Sequence, residues 1–283
     1  MTDAAKPDRS TSRADTTGVR LGSLDLEAYL RDPARKQEFV TPMFDVIAPR
    51  YDAFTRLFSF GMDAGWKRAA IAAAVRGQAG PCEVLDLASG TGDLAVGIAR
   101  ALPAARITAI DASPRMVEEA TRRLAARDVD VAARVQVRVG DMTALDLADG
   151  SMDLVTAGYG VRNVPDAALA FREMRRVLRP GGRLVLLDFY RPELSLWRAL
   201  LLAYLQTAGN IVGWWWHRDP VVYGYIARSI DHFVSWQQCS AMLEAHGFRV
   251  ERVTRYLGGG VARHEATAVA PPAVRASDSA PSR

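Results

Sequence analysis

The sequence predicts an α/β fold with a mostly parallel sheet and helices packed on it. Three observations carry this expectation. From Cys82 onward, five short runs rich in β-branched residues alternate with helical patterns. The first run ends in the small-residue turn Ala88-Ser89-Gly90-Thr91-Gly92, and each of the first three runs closes in or near a turn that carries an aspartate. Ligands in such sheets bind beyond the carboxyl ends of the strands, so the three aspartates fall on one functional edge.

Taken in order, residues 1–34 are rich in Asp, Arg, Ser, Thr and Lys, lack an apolar stretch, and read as a mostly disordered leader. One domain is expected over residues 35–269. Its first part, 35–79, has helical periodicity with aromatics at Phe39, Phe44, Tyr51, Phe54, Phe58, Phe60 and Trp66, and reads as a helical cap. Residues 80–192 form the core: strands CEVLDLA, RITAIDA, VQVRVGD, MDLVTAGY and GRLVLLDFY, with helices at Gly92–Leu102, Pro114–Arg127 and Ala167–Leu178. Pro180, Gly181 and Gly182 stop the last helix. Residues 193–246 read as an aromatic-rich helical lid, 247–269 as a closing hairpin, and 270–283 as a loose tail.

The composition excludes several classes. The formal charge is +4 over 283 residues with the basic residues scattered, so no nucleic-acid partner is expected. Cys82 and Cys239 are the two cysteines, far apart, which fits a reducing cytoplasm and argues against a metal site or a disulfide scaffold. Leu196 to Trp216 is the most apolar stretch, but Arg198, Gln206 and Asn210 interrupt it.

At the functional edge, Gly90 and Gly92 let backbone N–H groups approach a ligand closely, with Ala88 at the mouth of the turn. Such a turn serves nicotinamide, flavin and S-adenosylmethionine ligands alike. Leu94 and Ala95 stand where a third glycine is expected, which argues against a pyrophosphate ligand. About twenty residues on, the second strand ends at Asp111-Ala112, where a carboxylate can accept from both ribose hydroxyls of an adenosine ligand. The competing role of Asp111, capping the next helix, is better filled by Ser113. The third strand ends at Asp141-Met142, an acceptor for the adenine amine beside a side chain for its ring face. Asp86 either bonds the turn or sits near a methionine ammonium, and Gly158 closes the fourth strand.

Outlying motifs narrow this further. MFDVIAPRYDAFTRLFSFGMDAGWKR before the sheet, LDLASGTGDLA, YGVRNVPD, FREMRRVLRPGGRLVLLDFYRP, YGYIARSIDHF and GGGVARHEA together resemble the ubiquinone and menaquinone C-methyltransferase family. The likeness spans roughly Phe39 to Ala266. It implies a Rossmann-like class I methyltransferase fold with a seven-stranded mostly parallel sheet. It also implies S-adenosyl-L-methionine as cofactor, S-adenosyl-L-homocysteine as product, and cofactor contacts at Thr91, Asp111, Asp141 and Met142. The implied reaction is methylation of a ring carbon of demethylmenaquinol or of 2-methoxy-6-polyprenyl-1,4-benzoquinol. The chain departs from the family's pattern at Asp141-Met142, at Gly158, and in the Trp214-Trp215-Trp216-His217 run of the lid.

Methylating an aromatic carbon requires in-line placement and a stabilised phenolate, because a phenol with pKa near ~10 stays protonated at neutral pH. Arg162 is the candidate to stabilise that charge or to position a water, and its alternative is an ion pair with Asp166 or Asp188. Asn163 is the candidate to hold a quinol oxygen or the cofactor. Tyr51 and Asp52 either close over the sulfonium or staple the cap, and His264 either relays a proton or is structural. The lid aromatics are expected to line an isoprenoid groove, to touch the inner membrane surface peripherally, or to form a homodimer interface or ordinary core. Competing functions are a natural-product methyltransferase acting on another small aromatic or polyketide acceptor, a silent cofactor-binding protein, and a dinucleotide oxidoreductase. The intact turn, Asp111 and Arg162 speak against the silent protein, and the missing third glycine speaks against the oxidoreductase.

Overall fold

A computed structural model describes residues 33–126, 129–217 and 221–269. The expected leader lies outside these except for Pro33 and Ala34, which already belong to the first helix, and the expected tail lies outside them entirely.

Strands β1 (Glu83–Leu87), β2 (Arg106–Asp111), β3 (Val135–Val139), β4 (Met152–Gly158), β5 (Leu178–Phe189), β6 (Phe248–Tyr256) and β7 (Val261–Ala268) form one sheet in the order β3-β2-β1-β4-β5-β7-β6. The first five pair in parallel, and β7 lies antiparallel between β5 and β6. This is the seven-stranded, mostly parallel sheet expected. Strand order reverses at β1, which sits between β2 and β4, and such a switch point opens a crevice at the carboxyl ends.

Helices cover both faces: α1 (Pro33–Ile47), α2 (Tyr51–Phe58), α3 (Met62–Val75), α4 (Asp93–Ala101), α5 (Pro114–Ala125), α6 (Ala167–Val177), α7 (Ser195–His217), α8 (Val221–Asp231) and α9 (Trp236–Ala245). Alternating side chains divide two cores. Leu85, Leu87, Leu184 and Leu186 pack with Phe171 and Met174 of α6 and Leu243 of α9. Val84, Val185 and Leu187 pack on the opposite face with Trp66 and Ala70 of α3 and Ile98 of α4. Burial on both faces explains why β1 and β5 read as nearly unbroken apolar runs.

Local signals set the helix starts. The Ser113 hydroxyl accepts from Met116 N–H at 3.1 Å to cap α5, Asp166 accepts from Ala168 N–H at 2.7 Å to cap α6, and Ser235 with Gln238 forms a capping box on α9. The fifth strand begins earlier than its sequence signal. Leu178, expected as the end of a helix, is extended and pairs with Met152, because a register shift in the sheet admits the Arg-Pro-Gly-Gly segment. Among the described residues no helix is long and apolar enough to cross a membrane. The Trp214–Trp216 run falls in α7, with its side chains outside the described ones.

Candidate active site

The turn after β1 is built from left-handed backbone: Ala88 at φ +49°, Gly90 at +53° and Gly92 at +88°. Gly90 N–H donates to Asp111 Oδ2 at 2.8 Å, and Ser113 N–H to Asp111 Oδ1 at 2.9 Å. A carboxylate has about four lone-pair sites, so two bonds leave acceptor capacity for a ligand. Burial raises the Asp111 pKa, and the two N–H bonds oppose that rise.

Beside this carboxylate lies a cavity of about 70 Å³ lined by Ala88, Gly90, Ala112, Asp141, Met142, Gly158 and Asn163, with Ile110 and Val164 as apolar walls. Asp141 Oδ1 accepts the Thr143 N–H and hydroxyl, each at 2.8 Å. A smaller recess of about 30 Å³ continues along the turn, lined by Asp86, Thr91, Lys67 and Asp93. Asp86 is fully buried and accepts from Thr156 Oγ1 of β4 at 2.6 Å and from Ala95 N–H in the first turn of α4 at 3.1 Å. Burial pushes its pKa up to about 7 against those two bonds. Lys67 reaches Asp93 at 2.8 Å and Asp63 at 3.6 Å. Burial works against its charge, yet these carboxylates and Tyr51 hold its pKa above the usual range.

A third cavity, apolar and about 250 Å³ in volume, lies between the cap and the lid. Met43, Phe58, Trp66, Phe189, Leu201 and Tyr204 make much of its wall, and Asp63, Ser59 and Arg162 are among its polar members. Tyr51 and Tyr159 line all three cavities. Tyr51 packs edge-on against Phe44, with centroids 6.2 Å apart, and burial raises its phenol pKa.

The cap is fastened to the loops that line these cavities. Lys36 donates to the Arg162 and Val164 carbonyls at 2.7 and 2.9 Å, and burial followed by the Arg162 charge pushes its pKa down to about 8. Asp45 accepts from the Ser113 hydroxyl at 2.5 Å, and Asp52 accepts from Thr91 Oγ1 at 2.9 Å and pairs with Arg123. Stapling is therefore what Asp52 does, and Thr91 commits its hydroxyl to it.

Three of the candidate catalytic residues have partners within the fold. Arg162 is buried, and its Nη1 donates to Asp188 Oδ1 at 2.8 Å and to the Tyr159 carbonyl at 2.6 Å, with the guanidinium 5.2 Å from the Phe189 ring centroid. Asp188 rather than Asp166 is the partner. Asn163 is likewise committed: its Nδ2 donates to the Tyr159 carbonyl at 3.0 Å and its Oδ1 accepts from Tyr225 Oη at 3.0 Å. Both residues border the cavities; the Asn163 amide and Arg162 Nη1 serve the fold, while Arg162 Nε has no partner among the described residues. His264, the other candidate, is fully buried on β7 and lines none of the three cavities. Its Nδ1 meets Tyr190 Oη at 3.2 Å, its Nε2 meets the Trp236 carbonyl and Ser240 Oγ at 3.1 Å, and burial pushes its pKa down to about 4. Both of its ring nitrogens are thus engaged within the fold, and burial disfavours its charged form. Gly92 also lines none of them and serves by shaping the turn and starting α4.

The sequence reading missed Tyr159, Lys36, Asp45, Asp63, Lys67 and Tyr225. Tyr159 had a signal, a bulky residue between two glycines at a strand end. The others lie on cap and lid helices, where periodicity marks the buried face but not which polar residues border a cavity.

The chain is similar to known proteins of one family and to solved structures of one fold. The model of the ubiE/COQ5 methyltransferase family matches residues 33–268. The chain is 38% identical to the ubiquinone/menaquinone biosynthesis C-methyltransferase UbiE of Geotalea uraniireducens, covering 76% of this chain and 89% of that one. It is 37% identical to the demethylmenaquinone methyltransferase of Deinococcus radiodurans, covering 80% and 89%. Among solved structures, a SAM-dependent methyltransferase from Thermotoga maritima superposes with a TM-score of 0.53 at 18% identity, covering 80% and 98%. The [4+2]-cyclase SpnF superposes with a TM-score of 0.57 at 20% identity, covering 83% and 97%. These two likenesses concern the fold alone, which hosts more than one chemistry.

Proposed function

The chain belongs to the ubiE/COQ5 methyltransferase family and is a methyltransferase, and on that premise we propose that it C-methylates the ring of a lipophilic quinol. The donor is S-adenosyl-L-methionine, and the acceptors are those the relatives' names point to, demethylmenaquinol or its ubiquinone-pathway counterpart. The observation that carries this reading is the meeting of a cavity that holds the Asp111 and Asp141 carboxylates with an apolar one of about 250 Å³ at the shared walls Phe44, Tyr51 and Tyr159. A lipophilic ring in the second would abut a polar ligand in the first.

The residues of the cavity beside Asp111 suit S-adenosylmethionine. Asp111 retains acceptor capacity for ribose hydroxyls, and Ile110 and Met142 offer apolar walls to the adenine beside Asp141. Lys67, Asp93 and Asp86 are the charged groups of the adjoining recess, suited to the carboxylate and ammonium of the methionine end. When bound, the cofactor supplies an electrophilic sulfonium methyl.

The chain's own residues hold the ring in line, exclude water and accept its hydroxyl proton. Arg162 cannot be that base, since its pKa exceeds about 12, and burial is outweighed by Asp188 in raising it further. Asp63, a buried carboxylate in the wall of the apolar cavity, is the better-placed acceptor. Ser59 donates to it at 2.9 Å and orients it.

The test is incubation of the purified protein with isotopically labelled S-adenosylmethionine and, separately, a reduced demethylmenaquinol analogue or a methoxy-prenyl benzoquinol, with mass spectrometry to locate the label. Methyl on a ring carbon is the expected result and identifies the substrate. Cofactor binding by calorimetry without transfer to either quinol overturns the quinol reading while leaving the methyltransferase.

A further inference from the structure

We propose that Tyr159 sets which acceptors this site accepts, its hydroxyl donating a hydrogen bond to an oxygen on the acceptor ring next to the carbon that is methylated. The proposal rests on the reading of the apolar cavity as the acceptor site, and it does not depend on the acceptor being a quinol.

Tyr159 sits at φ +61°, a conformation that bulky side chains rarely adopt. Such conformations persist only where the surroundings over-determine them, and they cluster at functional sites. Here every backbone polar group of the residue is held. Its N–H donates to the Leu187 carbonyl at 2.7 Å, and its carbonyl accepts from both Arg162 Nη1 at 2.6 Å and Asn163 Nδ2 at 3.0 Å. Those two donors are themselves fixed, by Asp188 at 2.8 Å and by Tyr225 at 3.0 Å. The flanking residues leave no slack. A Cβ at Gly158 would stand 2.9 Å from Leu94 Cδ1, and one at Gly160 only 2.2 Å from Ala88 Cβ. The Arg-Asn pair and the two glycines thus act together to present one side chain.

That residue belongs to the walls of all three cavities, and its polar atom is unused. The ring is 5% exposed and tilts against Phe189, with centroids 5.3 Å apart. The Tyr159 hydroxyl is buried and has no hydrogen-bond partner among the described residues. Burial, reinforced by Tyr51 and Asp63, holds its pKa well above the ordinary phenol value, so it stays an O–H donor. A buried, unsatisfied hydroxyl is uncommon enough to need a reason, and a ligand oxygen supplies one. Ser89 Oγ, in the small recess beside Asp86, and Nε of Arg162, in the wall of the apolar cavity, are also unpartnered. The Arg162 guanidinium is already held through Nη1 by Asp188 and the Tyr159 carbonyl, whereas the Tyr159 hydroxyl has no bond at all among the described residues. Tyr159 borders the apolar cavity itself, whose acceptor gains negative charge on a ring oxygen as its hydroxyl proton leaves. A site built to donate to a substrate oxygen discriminates against an analogue that lacks it.

Tyr159→Phe in the full chain keeps the ring and removes the donor. Two measurements test the proposal. With a methylated acceptor, the variant should keep the wild-type cofactor affinity by calorimetry and lose about tenfold in kcat/KM. Independently of turnover, 2-geranyl-4-nitrophenol titrated against each protein should ionise at lower pH when bound to the wild type than to the variant, read by the absorbance of the nitrophenolate. A lower ionisation pH with the wild type, even if neither quinol is methylated, supports the Tyr159 assignment and places the failure with the quinol reading. Equal ionisation in both proteins, no binding of the probe, or loss of cofactor affinity in the variant overturns the assignment.

Discussion

Replacing Asp188 by asparagine or Arg162 by methionine separates a structural from a chemical role for the buried pair beneath the site. Asp188 is fully buried and accepts Arg162 Nη1 at 2.8 Å, Arg162 N–H at 3.2 Å and Phe189 N–H at 2.8 Å. Removing one member of a buried pair leaves the other charge uncompensated, a loss of about 3–5 kcal/mol. In Arg162→Met the two backbone N–H groups still serve the carboxylate, which places that variant near the lower figure. Since 1 kcal/mol corresponds to roughly 2–4 °C in a domain of this size, either single variant should lower Tm by about 6–20 °C. Combining both replacements removes both charges, so the double variant should melt well above the level that additivity sets. Differential scanning calorimetry of the four proteins closes the cycle. Single variants that melt within about 2 °C of the wild type, or strictly additive effects, would refute a structural ion pair and return Arg162 to the chemistry.

Three further outcomes are expected. His264 has a folded pKa of about 4 against 6.5, so the unfolded chain binds more protons between these values and stability falls as pH drops through that window, by up to about 3 kcal/mol; urea midpoints of His264→Gln should fall less over the same range, and an equal fall rules the histidine out as the cause. Asp111→Ala removes the acceptor for Gly90 and Ser113 and should weaken S-adenosylmethionine binding at least about tenfold by calorimetry; wild-type affinity would remove Asp111 from the cofactor site. Gly160→Ala puts a methyl 2.2 Å from Ala88 Cβ and should cost about 1–3 kcal/mol in denaturant unfolding, and an unchanged midpoint would contradict the close packing of that turn.

Much of this molecule is local in origin, and that part was legible. The strands of the core carry their own apolar runs, the turn after β1 its own glycines, and α5, α6 and α9 their own caps. Because ligands bind at the carboxyl ends of such strands, the spacing of Asp86, Asp111 and Asp141 marks the edge of the sheet where the cavity beside Asp111 and the recess beside Asp86 lie. Motif resemblance supplied the family. Even the alternative partners of Arg162 could be named, though not chosen between.

What only the tertiary structure decided is how polar atoms are shared among distant segments. Lys36 lies 126 residues from the Arg162 carbonyl it bonds, and Tyr225 lies 62 from Asn163. A buried donor or acceptor must find a partner, and which one it finds depends on packing that no sequence pattern encodes. For this reason Asn163 and His264, reactive by residue type, find their partners within the fold, and Arg162 does so through Nη1 while its Nε is left unpaired among the described residues. Tyr159, at a strand end, lines all three cavities and keeps a hydroxyl with no partner among the described residues.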